Sequence, residues 1–363
     1  MRRESSPHLV IPFAACSADA WLPTLQSLPP DSLKHLGQLL QGMKLMDTDR
    51  QAADTLSPPH ERAQARALGL ASRETPDGLI PWAASDAAQR LHTGQDKAWA
   101  WITPCHWAMG HLHATLSDPA ALQLQVSESH TLMAAMQPYF ETDGITLHYV
   151  DDLGPGRWLA EGEVFRDLPT ASLDRVLARD VDAWLPGARQ ADPSTGPGQA
   201  HSDPSGGSAS PEVKSAGAKI LTRLQNEMQM LLYTHPFNDE RQARRLLPVN
   251  SFWISGTGSL PDGFGEAFTS AVDQKKPEPS GVPRSLAQAV FREDWSAYVQ
   301  AWQALDAGEL AVLLEQQRAG LAVRLTLCGD HTAMTFATHR AGLQSKISSL
   351  FRPSRPLELL QQL

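Results

Sequence analysis

The stretch Asn226–Gly258, NEMQMLLYTHPFNDERQARRLLPVNSFWISGTG, constrains the fold of this chain more than any other. Met228, Leu231 and Leu232 continue a three-to-four spacing begun by Ile220, Leu221 and Leu224, which predicts an amphipathic helix over Lys219–Tyr233. His235-Pro236-Phe237-Asn238 then breaks it, because proline cannot continue a helix and holds its predecessor in extended geometry. A short basic helix follows, and Val249–Ser255 reads as a strand that runs into Gly256-Thr257-Gly258. Two helices and a strand in such close succession require a layered α/β arrangement.

The rest of the chain alternates in the same way. Short β-branched or aromatic runs predict strands at His8–Ala14, Ala98–Thr103, His111–Leu116, Ile145–Val150, Arg157–Ala160, Ala322–Cys328 and Thr332–Thr338. Helical spacing predicts Ser32–Leu40, Ser57–Leu70, Ser127–Tyr139, Ser285–Asp306 and Leu310–Arg318. Pro169–Leu185 reads as a helix with a charged face of Asp174, Arg175, Arg179 and Asp180. Gly187–Ala218 is Gly-, Pro- and Ser-rich with few apolar residues, so it is expected to be a disordered insertion, and 274–283 a shorter mobile loop. A single α/β domain over 1–363 accommodates both, since loops tolerate insertion at small entropic cost.

Composition narrows the function. A net charge of −9 without a basic stripe argues against nucleic acid as a partner. No apolar run approaches the roughly 20 residues a membrane span needs. The N-terminal MRRESSPHLVIPFAACSADA has the arginines and apolar patch of a signal peptide, but Pro12 interrupts the patch, which reads better as a first strand. Cys16, Cys105 and Cys328 are widely spaced and form no Cys-x-x-Cys pair, so a reducing, cytoplasmic location is expected. Ten tryptophans point to aromatic core packing.

Two regions concentrate chemistry. Gly329-Asp330-His331 ends a strand, where open α/β sheets bind ligands, and His339 follows the next strand. Asp and His together suit Mn²⁺ or Zn²⁺, whereas the plainer role for Asp330 is to cap a turn. His235, Asn238, Arg241 and Asn250 surround the strand that closes on Gly256 and Gly258. They form either an anion-binding cradle or a set of groups that satisfy buried backbone. Cys105, His106, His111 and His113 include zinc-ligand types, but their spacing matches no common zinc motif. Ser57-Pro58-Pro59-His60-Glu61-Arg62 reads as simple helix initiation.

The order of elements in Asn226–Gly258 resembles a block of the archaeal-type cofactor-independent phosphoglycerate mutases. In those enzymes a helix, a His-Pro-x-Asn turn, an arginine and a Pro-x-Asn strand closing on Gly-x-Gly follow one another. Leu325–His331 is similar to the strand and Asp-His metal corner of that family. Outside Gly187–Ala218, most of the chain resembles RpfE-type bacterial regulatory proteins. These resemblances imply an alkaline-phosphatase-like layered sheet with helices on both faces, reduced relative to the mutases. They also imply a phosphorylated small metabolite as ligand and a two-metal centre.

The chain departs from that pattern at two metal corners. The first strand runs into Ala15-Cys16-Ser17-Ala18 instead of an Asp-Gly pair, and Asp19 comes several residues late. Ala289–Tyr298 offers Glu293 and Asp294 but neither the His nor the Gly of the family's Gly-His-Asp-Gly element. No nucleophilic Ser or Thr can be assigned. The expectation is therefore a regulatory or metabolite-binding pseudoenzyme. The alternative is a metal-dependent phosphomutase or phosphatase using Asp330, His331 and His339, with Asp294 or His106 completing the shell. An interaction protein is a third reading that no sequence feature selects.

Overall fold

The computed structural model describes residues 6–29, 31–94, 96–110, 113–187, 211–261, 264, 282–338 and 356–363. In chain order the strands are β1 (His8–Ile11), β2 (Met43–Arg50), β3 (Trp99–Cys105), β4 (Trp107–Met109), β5 (Ala114–Leu116), β6 (Thr146–His148), β7 (Trp158–Glu161), β8 (Ser251–Gly258), β9 (Arg324–Cys328) and β10 (Thr332–Thr338). Where a single domain was expected, the chain packs as two compact units. The first comprises Met1–Asp54, Pro58–Leu68 and Ser270–Leu363, and the second Thr55–Ser57 and Gly69–Thr269.

The first unit is built on a sheet ordered β1-β9-β10-β2, in which β1 runs parallel to β9 and the other pairings are antiparallel. Alternation along the strands sends Leu9, Ile11, Leu325 and Leu327 to one face, where they meet Trp21, Leu36, Tyr298, Trp302 and Leu313 from the helices. Val10, Cys328 and Ala333 form a smaller cluster on the other face, and helix Pro59–Leu68 lies against the same strands. The predicted helix Ser285–Asp306 is split into Ser285–Phe291 and Trp295–Leu305. Asp294 restarts it by accepting from the backbone N–H of Ala297 at 2.9 Å. A π-turn at Asp306–Leu310 then joins Trp295–Leu305 to Ala311–Arg318. It places Asp306 to accept from the free backbone N–H groups of His35 and Leu36, at 3.0 and 2.9 Å, at the start of helix Lys34–Gln41.

The second unit holds an antiparallel sheet ordered β6-β7-β3-β8 and a β4-β5 hairpin. Ala100, Ile102, Trp158, Ala160, Phe252 and Ile254 face a core completed by Met136 and Phe140 of helix Val126–Glu141 and by Leu221, Leu224, Met228 and Leu232 of helix Pro211–Thr234. Helix Trp82–Arg90 covers the opposite face. Helices therefore flank the sheet of each unit on both sides, as the mixed α/β expectation requires.

Several elements differ from expectation. Part of the anticipated insertion is ordered: residues 211–218 form the first turns of helix Pro211–Thr234, where a leading proline is compatible with the unsatisfied N–H positions. Residues 188–210 and 274–281 lie outside the described residues, as do His111 and Leu112 of the predicted strand whose ordered part is β5. The charged helix expected within Pro169–Leu185 is only Leu173–Val176, and its Asp174 and Arg175 are buried instead of solvated. Strand β2 and helix Trp82–Arg90 were not anticipated.

Candidate functional site

In the first unit the carboxyl ends of the parallel pair β1 and β9 meet at a corner. The backbone N–H of Ala14 donates to Cys328 at 2.8 Å and carries the pairing one step past β1. Phe13 reaches this position with φ 53, a left-handed conformation that is costly for a side chain of this size. Tyr298 holds the turn. Its hydroxyl lies 3.0 and 2.9 Å from the carbonyls of Phe13 and Ala14 and accepts from Trp21 Nε1 at 3.0 Å. Burial pushes the Tyr298 hydroxyl well above its usual range, so it stays a neutral donor.

Asp330 closes the corner and is buried. Its Oδ2 accepts twice from Ser17, from the backbone N–H at 2.8 Å and the hydroxyl at 2.6 Å. Nδ1 of His331 is buried and meets no hydrogen-bond partner among the described residues, while the His331 carbonyl accepts from Gln51 N–H at 3.0 Å. Asp330 and His331 belong to no group of three or more His, Cys, Asp or Glu ligand atoms within 4.8 Å of one another among the described residues. His339 lies outside them. Asp294 is occupied as a helix cap, and His106 belongs to the second unit, where its Nδ1 lies 2.9 Å from the carbonyl of Pro248.

Beside this corner Asp49 of β2 binds two guanidiniums of helix Pro59–Leu68: Arg62 Nε at 3.0 Å and Arg66 Nη2 at 2.7 Å. Burial alone would raise the Asp49 carboxyl, but the hydrogen bonds and charges of Arg62 and Arg66 outweigh it, and the net direction is down. The carboxylate is thus held ionised as a structural tie. Cys328 is buried, and desolvation pushes its thiol upward, away from nucleophilic thiolate.

In the second unit the polar residues of the Asn226–Gly258 block turn inward. Asn238 donates through Nδ2 to the carbonyls of Leu232 and Val249, both at 2.8 Å, and accepts from Val249 N–H at 2.9 Å, clamping the incoming strand to the helix. Arg241 is fully buried and donates to the Leu247 carbonyl at 2.8 Å, to Glu128 at 2.9 Å and to the Leu122 carbonyl. Asn250 exchanges hydrogen bonds with the backbone of Trp107 at 2.7 and 2.9 Å, and His235 accepts from Phe237 N–H at 3.2 Å as a helix cap.

Gly256 has φ 65 where β8 gains residues relative to β3, a glycine bulge. A Cβ there would stand 2.9 Å from the Trp101 ring and 3.1 Å from Trp82 Cβ. Gly258, at φ 131, packs on Pro81. In these contacts Asn238, Arg241 and Asn250 bond to buried backbone groups.

Of the zinc-type residues, His111 lies outside the described residues. Cys105 is buried with its thiol pushed upward by desolvation, and His113 pairs with Asp180 at 2.9 Å.

What sequence reasoning missed is a polar cluster on the other face of the second unit's sheet. Asp86 of helix Trp82–Arg90 accepts from Trp101 Nε1 at 2.9 Å and from Arg90 at 2.6 Å. Arg157 lays its guanidinium 4.3 Å from the centre of the Trp101 ring. Burial raises the Asp86 carboxyl despite the opposing influence of Arg90, Trp101 and Arg157. The available signal was Trp82, Asp86 and Arg90 at four-residue intervals, but it falls in an alanine-rich segment without an apolar stripe.

No model of a known protein family matches the chain, and no curated protein does. Among solved structures, the chain is similar to the cofactor-independent phosphoglycerate mutase of Thermoplasma acidophilum, at 13% identity over 98% of this chain and 99% of that one, with a TM-score of 0.33. It is also similar to the PH0037 protein of Pyrococcus horikoshii, at 11% identity over 92% of this chain and 87% of that one, with a TM-score of 0.42. Both likenesses are weak and neither bears on chemistry. No described helix is long and apolar enough to cross a membrane.

Proposed function

We propose that this chain is a phosphoglycerate-mutase-like scaffold without a working metal centre, and that it acts as a regulatory, metabolite-binding protein instead of a catalyst. One observation carries the reading. Past the end of β1, where the resemblance calls for a carboxylate, the chain runs through Ala15-Cys16-Ser17-Ala18 without an acid, and Ser17 donates twice to Asp330. Two carboxylate oxygens facing each other would invite a divalent cation. Here the facing groups are an N–H and an O–H, which donate to Oδ2 and supply no second carboxylate to share a cation. The residues present therefore do not suit a two-metal site, and no phosphoryl-transfer step is routed through them. The inward use of Asn238, Arg241 and Asn250 further supports a ligand site elsewhere than the glycine-closed strand. The RpfE-type resemblance fits a regulatory role in a reducing compartment, with a small phosphorylated or carboxylated metabolite as the signal.

Calorimetric titration of chelator-stripped protein with Mn²⁺ and then Zn²⁺ tests this. The expected result is no binding tighter than about millimolar, where ΔG is near −4 kcal/mol. Asp330→Asn, which keeps an oxygen for Ser17, is expected to change neither that result nor stability by more than about 1 kcal/mol. Micromolar metal binding that Asp330→Asn abolishes would overturn the proposal and restore the metal-dependent alternative.

A further inference from the structure

The segment Pro356–Leu363 packs on the first unit at the edge where β9 ends. Its helix, Pro356–Leu360, is little more than one turn, and so short a helix is not stable in isolation. The segment is therefore ordered by what it touches. Leu360 is fully buried in the core cluster that holds Leu325, Leu327, Tyr298 and Trp302, and Leu359 and Leu363 pack against that cluster partly buried. Leu357, Glu358, Gln361 and Gln362 are exposed. Leu360 is thus the anchor.

Two contacts set the far end of the segment against the turn that carries Asp330 and His331. On one side of the turn stands Gly329. A Cβ there would lie 2.9 Å from the carbonyl oxygen of Leu363, 3.0 Å from its carbonyl carbon and 3.1 Å from its Cβ, the three nearest atoms beyond the chain neighbours. Gly329 is not among the glycines with positive φ, so its backbone does not call for glycine. The close approach of Leu363 does. On the other side stands Arg50, the last residue of β2, whose Nη2 donates to the Gln362 carbonyl at 3.4 Å. Its neighbour Gln51 donates to the His331 carbonyl at 3.0 Å, and the Gly329 N–H donates to the Thr332 carbonyl at 2.8 Å, so both contacts border the turn itself.

We propose that Pro356–Leu363 is a strap that closes the Asp330–His331 corner of the first unit and is released from it while the sheet stays folded. The carboxyl ends of parallel strands are where open α/β sheets take their ligands. Docked, the strap occupies that edge itself, an autoinhibitory contact. Released, it opens the turn, with the buried Nδ1 of His331, to solvent. Segments that open locally are those with few buried apolar contacts, and a single turn anchored by Leu360 is one of these. The strap does not depend on what the corner binds, so it and the metal-free reading fail separately.

The test is hydrogen exchange of the full chain read by mass spectrometry, with diethyl pyrocarbonate labelling of histidines in parallel. The amides of Gln361 and Gln362, which donate to the carbonyls of Leu357 and Leu359, report on the strap, and those of β9 report on the sheet. The strap is expected to exchange about 100-fold or more faster than β9. Exchange of both at one rate would make the segment an inseparable part of the folded unit and overturn the proposal. Gly329→Ala sets a methyl group against Leu363 at no cost in backbone strain. It is expected to raise the labelling rate of His331, relative to the exposed His92, by about threefold or more, with β9 protection unchanged. If Gly329→Ala does not fold, Leu360→Ala, which shortens the anchor, takes its place with the same expected result. Labelling of His331 at the parent rate in the folded variant, or loss of β9 protection together with that of the strap, overturns the gate.

Discussion

Gly256 and Gly144 offer a matched pair for asking what the glycine-closed strand is for. Both lie in the second unit and both have left-handed backbone, with φ 65 and φ 71. Gly144 ends helix Val126–Glu141, and a Cβ there would meet nothing within 4 Å. Gly256 sits in the bulge between β3 and β8, and its Cβ would stand 2.9 Å from Trp101 Cε3 and 3.1 Å from Trp82 Cβ. Alanine at either position carries about 1 kcal/mol of backbone strain. Only at Gly256 does overpacking add about 1–3 kcal/mol, because two tryptophans that hold the helix to the sheet must shift. Gly256→Ala is therefore expected to destabilise the unit by about 2–4 kcal/mol and Gly144→Ala by about 1. In urea, where m is about 1–3 kcal/mol/M, the difference of about 2 kcal/mol moves the midpoint by roughly 1 M. Equilibrium urea unfolding followed by tryptophan fluorescence reads both variants on the same unit. Equal midpoints would refute the claim that Gly256 is a packing requirement and would return it to the list of ligand-cradle candidates.

Two further outcomes are expected. His8 lies partly buried with Nε2 2.8 Å from Thr326 Oγ1; desolvation first, and then the charge of Arg324, push its pKa down to about 4. Because the folded value lies below the unfolded value near 6.5, its stabilising contribution is complete above about pH 6.5 and is lost as the pH falls through 4. That loss is at most about 3 kcal/mol, and His8→Gln should flatten the dependence in denaturation midpoints measured from pH 7 to 4. Arg241→Met should cost the second unit about 3–5 kcal/mol, since it strands two carbonyls and part of Glu128 in a buried setting. A midpoint within error of the parent protein would show that Arg241 is not the tie it is drawn as.

The parts of the fold that could be read from the sequence are those whose burial is two-sided or strongly periodic. β9 and β10 were legible because Leu325, Leu327, Ala333 and Phe336 are core residues in short β-rich runs. Helix Pro211–Thr234 was legible from Leu221 onward because Leu224, Met228 and Leu232 fall on one stripe. β2 was not. Its MKLMDTDR is an edge strand whose side chains are mostly exposed, so it shows neither alternation nor β-branched enrichment. Helix Trp82–Arg90 was hidden for a different reason. It buries Ala83, Ala84 and Ala87, and small residues that let a helix lie close to a sheet do not register as an apolar face.

The same contrast separates the two candidate sites. The Asn226–Gly258 block was conspicuous because its polar residues and glycines are bunched in sequence, and bunching in sequence is also what local structure demands. A helix cap at His235 and a clamp at Asn238 act over short separations and a bulge at Gly256 acts on the adjoining strand, while Arg241 ties its own segment to Leu247 and also reaches Glu128 and Leu122. Such a block specifies a way of folding, and one scaffold can host many activities. The long-range pairings in this chain are announced by no local pattern. Ser17 meets Asp330 across 313 positions of sequence, and Trp101 meets Asp86 across a helix that could not be foreseen. The first pairing puts two hydrogen-bond donors on a carboxylate for which the resemblance implies a cation. The second anchors helix Trp82–Arg90 to the sheet of the second unit.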